Sequence, residues 1–167
     1  MRRGLIFLGV VLAATVVGVP AAMAQSFSSA TAAFNGDRLI VSFTETGLAA
    51  DQPIDYAAHT NVTATLVCVN RGGVAAGGKN GTGDQVGDET SLDTFTSSAN
   101  GEVTGQLTLS PPPPFPPLTC PSNQSPMEAR VVYTNVSITD KTNGITEPIP
   151  GTFDTGCLLP DVRGACG

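Results

Sequence analysis

Alternation between apolar and polar positions is clearest over residues 60–70, TNVTATLVCVN. Val62, Ala64 and Leu66 share one parity with Cys68, and threonine or asparagine fills most of the positions between them. A period of two in β-branched residues predicts a strand that buries one face. Because Cys68 has the buried parity, the pattern places it where a disulfide can reach a second sheet.

The same alternation predicts further strands at residues 27–34, 38–44, 54–58, 128–139 and, interrupted by prolines, 145–153. A break near His59 separates the strand at 54–58 from the one at 60–70. The dipeptide Asn100-Gly101 lies between two alternating runs and is typical of a type I′ turn. We therefore predict a β-hairpin here, with Phe95 as the apolar anchor of its first strand.

These patterns predict an all-β fold. About seven short strands joined by turn sequences, with no helical pattern, are typical of an immunoglobulin-like β-sandwich. A small β-barrel is the alternative. The composition agrees with strands, because the chain is poor in the long, straight side chains (Lys, Glu and Arg) that helices favour.

The N-terminus has the three parts of a secretory signal peptide. Two arginines follow Met1, an apolar run spans residues 5–19, and AMA at 22–24 fits a signal peptidase site. The apolar run is shorter than the roughly 20 residues that span a bilayer. We predict a signal peptide at 1–24, cleaved after Ala24. The remaining 25–167 would form a single secreted, extracellular domain with no membrane insertion.

The charge of the chain limits its partners. The net charge is −6, and loss of Arg2 and Arg3 with the signal segment makes it −8. No basic patch offsets this charge, so the phosphates of nucleic acid or of an anionic membrane would be repelled. We exclude nucleic acid and keep a cell-surface polymer or a protein as the classes of partner.

The four cysteines all follow the signal segment, and an even number in an exported chain predicts disulfides. Three pairings are open. We favour Cys68–Cys120, which border apolar strand-like segments, and Cys157–Cys166, which are close in sequence and would clip the C-terminal tail. The chain has no C-x-x-C motif and a single histidine, so we expect no metal site and no cofactor.

Two segments have an unusual composition. Residues 71–89 contain seven glycines and predict a long loop, in which the carboxylates of Asp84, Asp88 and Glu89 match the spacing of no calcium motif. We expect a solvated loop there. The run PPPPFPP at 111–117 predicts a polyproline II connector, or alternatively an exposed ligand for an aromatic groove.

The sequence contains no catalytic constellation. His59 is close to Asp55 and Tyr56, but a lone histidine is more often structural, and neither G-x-S-x-G nor H-E-x-x-H occurs. The chain also lacks tryptophan, the usual platform for sugars. We therefore expect no enzymatic activity and name no catalytic residue.

A group of small secreted actinobacterial proteins, uncharacterised in function, resembles this chain. The resemblance is carried by the ordered segments VSFTETGLAADQPIDY, TATLVCVNRGG, TFTSSANGEVTGQLTLSPP, LTCP and VVYTNVSITDKTNG. It covers most of residues 39–144 and implies export and a β-sandwich, without catalytic residues.

A weaker likeness concerns the neocarzinostatin-type apoproteins, which are acidic secreted sandwiches that carry an apolar chromophore. The phrases TGLAADQPIDY and SSANGEVTGQLTLS are similar to theirs in character. Those proteins have short-range disulfides, whereas a Cys68–Cys120 bridge would be long-range.

Three functions follow as hypotheses. The first is a secreted, non-enzymatic binding or structural module, whose ligand the sequence does not identify. The second is a carrier of a small apolar ligand, held between sheets by rings such as Phe95 or Phe115. The third is an inhibitor of secreted proteases that inserts the loop 71–89 or the segment 111–117.

Overall fold

A computed structural model describes residues 24–75, 82–111 and 118–166. Except for Ala24, the predicted signal peptide lies outside these ranges. Pro111 alone of the proline-rich segment is described, and Phe115 is not.

Two antiparallel sheets form the fold. The first contains β1 (Ser26–Asn35), β2 (Arg38–Thr46) and β5 (Val103–Leu109), in the order β1-β2-β5. The second contains β3 (Pro53–Asn70), β4 (Thr82–Thr96), β6 (Gln124–Asp140), β7 (Ile145–Pro148) and β8 (Phe153–Asp154). Its order is β4-β3-β6-β7, and β8 also pairs with β6.

The inward faces of the two sheets meet in one apolar core. Its fully buried members include Leu39, Val41, Tyr56, Val62, Leu109, Val131, Tyr133 and Ile138. Burial of each large apolar side chain contributes about 1.5–3 kcal/mol relative to exposure, which offsets part of the entropy lost on folding. The predicted all-β sandwich is confirmed, and its described strands do not close into a barrel.

Strand β3 is the centre of the larger sheet, with β4 on one side and β6 on the other. The break predicted near His59 is wrong, because the strand is continuous and only the register with β6 shifts there. The irregularity belongs to β6, where Asn135 has φ +54° and the buried positions change parity between Tyr133 and Val136. Such a bulge bends the strand without ending it.

The hairpin predicted at Asn100-Gly101 is wrong in its pairing. A tight turn does form, since the amide of Gly101 donates to the carbonyl of Ser98 over 2.9 Å. However, β4 before the turn pairs with β3, and β5 after it pairs with β2 in the other sheet. The alternation of apolar and polar residues determines which face of a strand is buried, but not which other strand pairs with it. A turn that connects two sheets therefore has the same sequence pattern as a hairpin turn.

The loop predicted for residues 71–89 is also wrong over its second half. Strand β4 begins at Thr82 and runs antiparallel to β3 from the pair Val67–Thr82 to the pair Pro53–Thr96. The first half of β4 is rich in glycine, aspartate and glutamine, so neither of its faces is apolar. Its sequence therefore lacks the apolar alternation that predicts a strand. Its strand conformation comes from backbone hydrogen bonds to β3, which composition does not reveal.

The two disulfides join Cys68 to Cys120 and Cys157 to Cys166, so the favoured connectivity is confirmed. Cys68 is fully buried. The second bridge closes the C-terminal tail over a smaller apolar cluster, made of Val67, Val69, Ala75, Ala129, Leu159, Val162 and Ala165. Two disulfides in a domain of this size are typical of oxidising compartments outside the cytosol. Within the described ranges, no helix has the length and hydropathy needed to cross a membrane.

Candidate functional site: the free edge of strand β4

Strand β4 forms one edge of the larger sheet. Over the described part of the chain, β3 is the only strand that pairs with it. At 15 residues, β4 is long for an edge strand. Edge strands present a row of backbone donors and acceptors of the kind that an added strand recognises.

Two large apolar side chains stand on the outer face of β4. Val86 is 75% exposed and Leu92 is 66% exposed, the highest values among the exposed large apolar residues. Their neighbours across the ladder in β3 are Thr63 and Ala57, which are too small to cover them. Isolated exposed apolar residues are common, and two of them on one edge strand make this edge a candidate contact surface.

Carboxylates alternate with these apolar side chains. The hydroxyl of Thr65 donates to Asp84 over 2.7 Å, and the side-chain amide of Asn61 donates to Asp88. These neutral donors orient the carboxylates without cancelling their charge. Among the described residues, the one ion pair joins Arg130 and Asp154, on other strands.

The remaining acids of β4 point to the other side of the sheet. Glu89 and Asp93 have the parity opposite to Asp84 and Asp88, so carboxylates flank the free edge on both faces. The sheet therefore separates Glu89 from Asp84 and Asp88. In the described part of the chain, no three metal-ligating side chains come together.

The residues considered for catalysis are not brought together. Tyr56 points into the core, whereas Asp55 and His59 point outward. The Asp55 carboxylate accepts a 2.6 Å hydrogen bond from the Thr94 hydroxyl. Nδ1 of His59 lies 3.3 Å from the hydroxyl of Thr90, in a separate row of the sheet.

A buried acidic cluster was missed by the sequence analysis. Glu45, Tyr56 and Asp140 are all fully buried, and the Tyr56 hydroxyl donates to Glu45 over 2.8 Å. Burial raises the pKa of Glu45, and the neighbouring Asp140 raises it further, against the lowering effect of the Tyr56 hydrogen bond. The signal was present, because Glu45 shares the parity of Val41 and Phe43 along β2.

The ring of Phe95, which the carrier hypothesis names, belongs to the aromatic packing between the sheets. The ring of Phe95 packs edge to face on Phe43 and on Tyr56, with centroids 5.6 and 5.8 Å away. A Cβ atom at Gly105 would lie 2.8 Å from both Phe43 and Phe95. The glycine is therefore required by the close approach of these rings to β5.

Comparisons with known proteins add no assignment, since no family model, curated protein or solved structure matches the chain. The candidate site therefore rests on the geometry of β4 alone.

Proposed function

We propose that this protein is a secreted, non-catalytic binding module whose partner adds a strand to the free edge of β4. The observation that supports this function is the coincidence of a 15-residue strand, which only β3 pairs among the described strands, with two exposed apolar side chains, Val86 and Leu92. Backbone hydrogen bonds along such an edge supply affinity, and side chains at alternate positions supply specificity. The partner is a protein, because only a polypeptide can complete the ladder.

The rest of the molecule suits this role as a scaffold. The opposite side of β4 is held by β3, which β6 supports in turn. One disulfide holds the C-terminal end of β3 at Cys68, and the other closes the C-terminal tail. Extracellular modules are commonly reinforced by disulfides in this way. A binding edge on a rigid scaffold loses little entropy when its partner docks.

Selection from a random dodecapeptide display library tests this function. Peptides enriched on the secreted wild-type protein should lose binding to a Val86→Thr/Leu92→Thr variant, because both apolar contacts on β4 are removed. The control is Ile40→Thr, on the outer face of the three-stranded sheet, which should retain binding. A library that yields no specific peptide, or peptides equally sensitive to Ile40→Thr, would contradict the proposal.

A further inference from the structure

The carboxylates beside the free edge determine which strand it accepts. We propose that the partner of β4 is an extended cationic segment, with basic residues beside Asp84 and Asp88 and apolar residues beside Val86 and Leu92. This inference rests on the proposed function, because it names the chemistry of the partner for the same edge.

The order of side chains along β4 specifies the pattern. Its outer face presents acidic, apolar, acidic, polar and apolar positions in turn, at Asp84, Val86, Asp88, Thr90 and Leu92. Residues directly opposite in neighbouring strands have Cβ atoms about 4.5–5.5 Å apart. An added strand therefore meets these positions with every second residue, as basic, apolar, basic, polar and apolar in one chain direction or its reverse.

Charge favours a cationic partner from both faces of the sheet. Asp84 and Asp88 lie on the outer face, where their hydrogen-bond donors among the described residues are neutral, and Glu89 and Asp93 lie on the other face. Strand β4 itself contains no lysine or arginine. A basic side chain beside any of these carboxylates gains a favourable contact, and the net charge of −6 adds long-range attraction.

The same charges argue against a second copy of this chain on β4. Pairing of β4 with its own copy would bring two acidic strands together, and like charges on adjacent strands are destabilising. Edge strands are commonly protected from self-association in this way. Strand β1 differs from β4 in this respect. Its outer edge is also unpaired in the described ranges, but its residues Ser26–Asn35 carry no charge.

Synthetic peptides test the pattern directly. The probes are KTVTKTTTV and its reverse VTTTKTVTK, which cover the two possible strand directions. Their matched controls replace each lysine by glutamine. Binding to the secreted protein is measured by fluorescence anisotropy at 20 mM and 500 mM NaCl. We expect one lysine peptide to bind at least about fivefold more tightly than its glutamine counterpart, and to lose most of that difference at high salt.

Variants of the protein locate the contact. Asp84→Asn and Asp88→Asn should each weaken the lysine peptide by about two- to fivefold, the range of an exposed ion pair. The glutamine peptide should not respond. Glu102→Gln and Glu147→Gln, which remove the same charge away from β4, should leave both peptides unchanged.

Backbone methylation separates strand addition from general charge attraction. Methylating the amides of alternate peptide residues blocks one edge of the peptide strand, and only one of the two alternating sets faces β4. We expect one methylated set to abolish binding and the other to preserve it.

Four results would overturn the inference. Equal affinity for lysine and glutamine peptides would exclude a cationic partner while leaving strand addition intact. If the lysine and glutamine peptides do not bind, but display-selected peptides bind and still require Val86 and Leu92, the cationic partner is likewise excluded and strand addition stays intact. Failure of both peptide classes, or a native mass spectrum showing dimers that Val86→Thr/Leu92→Thr dissociates, would overturn the proposed function as well.

Discussion

The hydroxyl of Tyr56 donates a 2.8 Å hydrogen bond to Oε2 of Glu45, and both side chains are fully buried between the sheets. The other oxygen of Glu45 has no hydrogen-bond partner among the described residues. Asp140 lies beside it but accepts hydrogen bonds from the backbone and side-chain amides of Asn143. A proton on Glu45, directed at Asp140, would satisfy the unpartnered oxygen, in agreement with the raised pKa of Glu45.

Glu45→Gln is expected to stabilise the protein at neutral pH. The amide keeps an acceptor for Tyr56 and supplies a donor toward Asp140 without a charge to bury. The pKa of Glu45 in the folded protein is raised above its ordinary 4.5. The contribution of Glu45 to the stability of the fold is therefore fully present below pH 4.5 and is lost as pH rises through the folded-state pKa.

Urea unfolding at pH 4.5 and pH 8 measures this difference. We expect Glu45→Gln to raise the free energy of unfolding by about 1–2 kcal/mol at pH 8 and by less at pH 4.5. Glu147→Gln on β7 controls for loss of one charge. An equal effect of Glu45→Gln at both pH values would contradict a buried titrating carboxyl.

Tyr56→Phe should cost about 1–3 kcal/mol at neutral pH, because it leaves a buried carboxylate oxygen without its donor. Tyr133→Phe is the matched control. Its hydroxyl also donates one hydrogen bond, over 2.7 Å, but to the uncharged backbone carbonyl of Asp37. Thermal unfolding from pH 4.5 to pH 8 should show a penalty that grows with pH for Tyr56→Phe and stays constant for Tyr133→Phe.

Removing the tail disulfide should release the tail. Cys157→Ser/Cys166→Ser opens a short loop, whose closure contributes about 3 kcal/mol on chain-entropy grounds. The amides of Ala75 and Leu158 donate to Arg163 and Ala129 across this region. Hydrogen exchange should accelerate at these two amides and remain slow in β2; acceleration throughout both sheets would show that the tail is part of the cooperative core.

The ion pair of Arg130 and Asp154 predicts a local titration. Hydrogen bonds from Arg130 and from the amide of Gly156 lower the pKa of Asp154 to about 2. Its contribution to stability is therefore present above the ordinary value near 3.8 and is lost as pH falls toward 2. Carboxyl NMR should show that midpoint, and Arg130→Gln should move it upward; an unchanged midpoint would contradict the pairing.

Gly101→Ala should destabilise the protein more than Gly36→Ala. Both glycines have φ near +70°, so both substitutions carry the backbone penalty of about 1 kcal/mol or more. A Cβ atom at Gly101 would also collide with the carbonyl oxygen of Leu48, whereas no atom lies within 4 Å at Gly36. Chemical unfolding should show an added cost of about 1–3 kcal/mol at Gly101; equal costs would contradict this packing.

The local pattern was enough to predict most elements and the disulfide pairing. Period-two alternation identified β1, β2, β3, β5 and β6, since one face of each packs against the core. The parity of Cys68 and the short spacing of Cys157 and Cys166 favoured the pairing that the structure has. These are properties of neighbouring residues along one strand, which a sequence records directly.

The tertiary structure alone decided which strands are neighbours, and with them the candidate site. Strand β4 has little apolar alternation before Leu92, so only its ladder with β3 defines it as a strand and gives it a free edge. Glu45 and Asp140 are far apart in sequence and meet because β2 and β6 face each other across the core. Backbone pairing and contact between sheets depend on the whole chain, and neither leaves a periodic signal in the residues that take part.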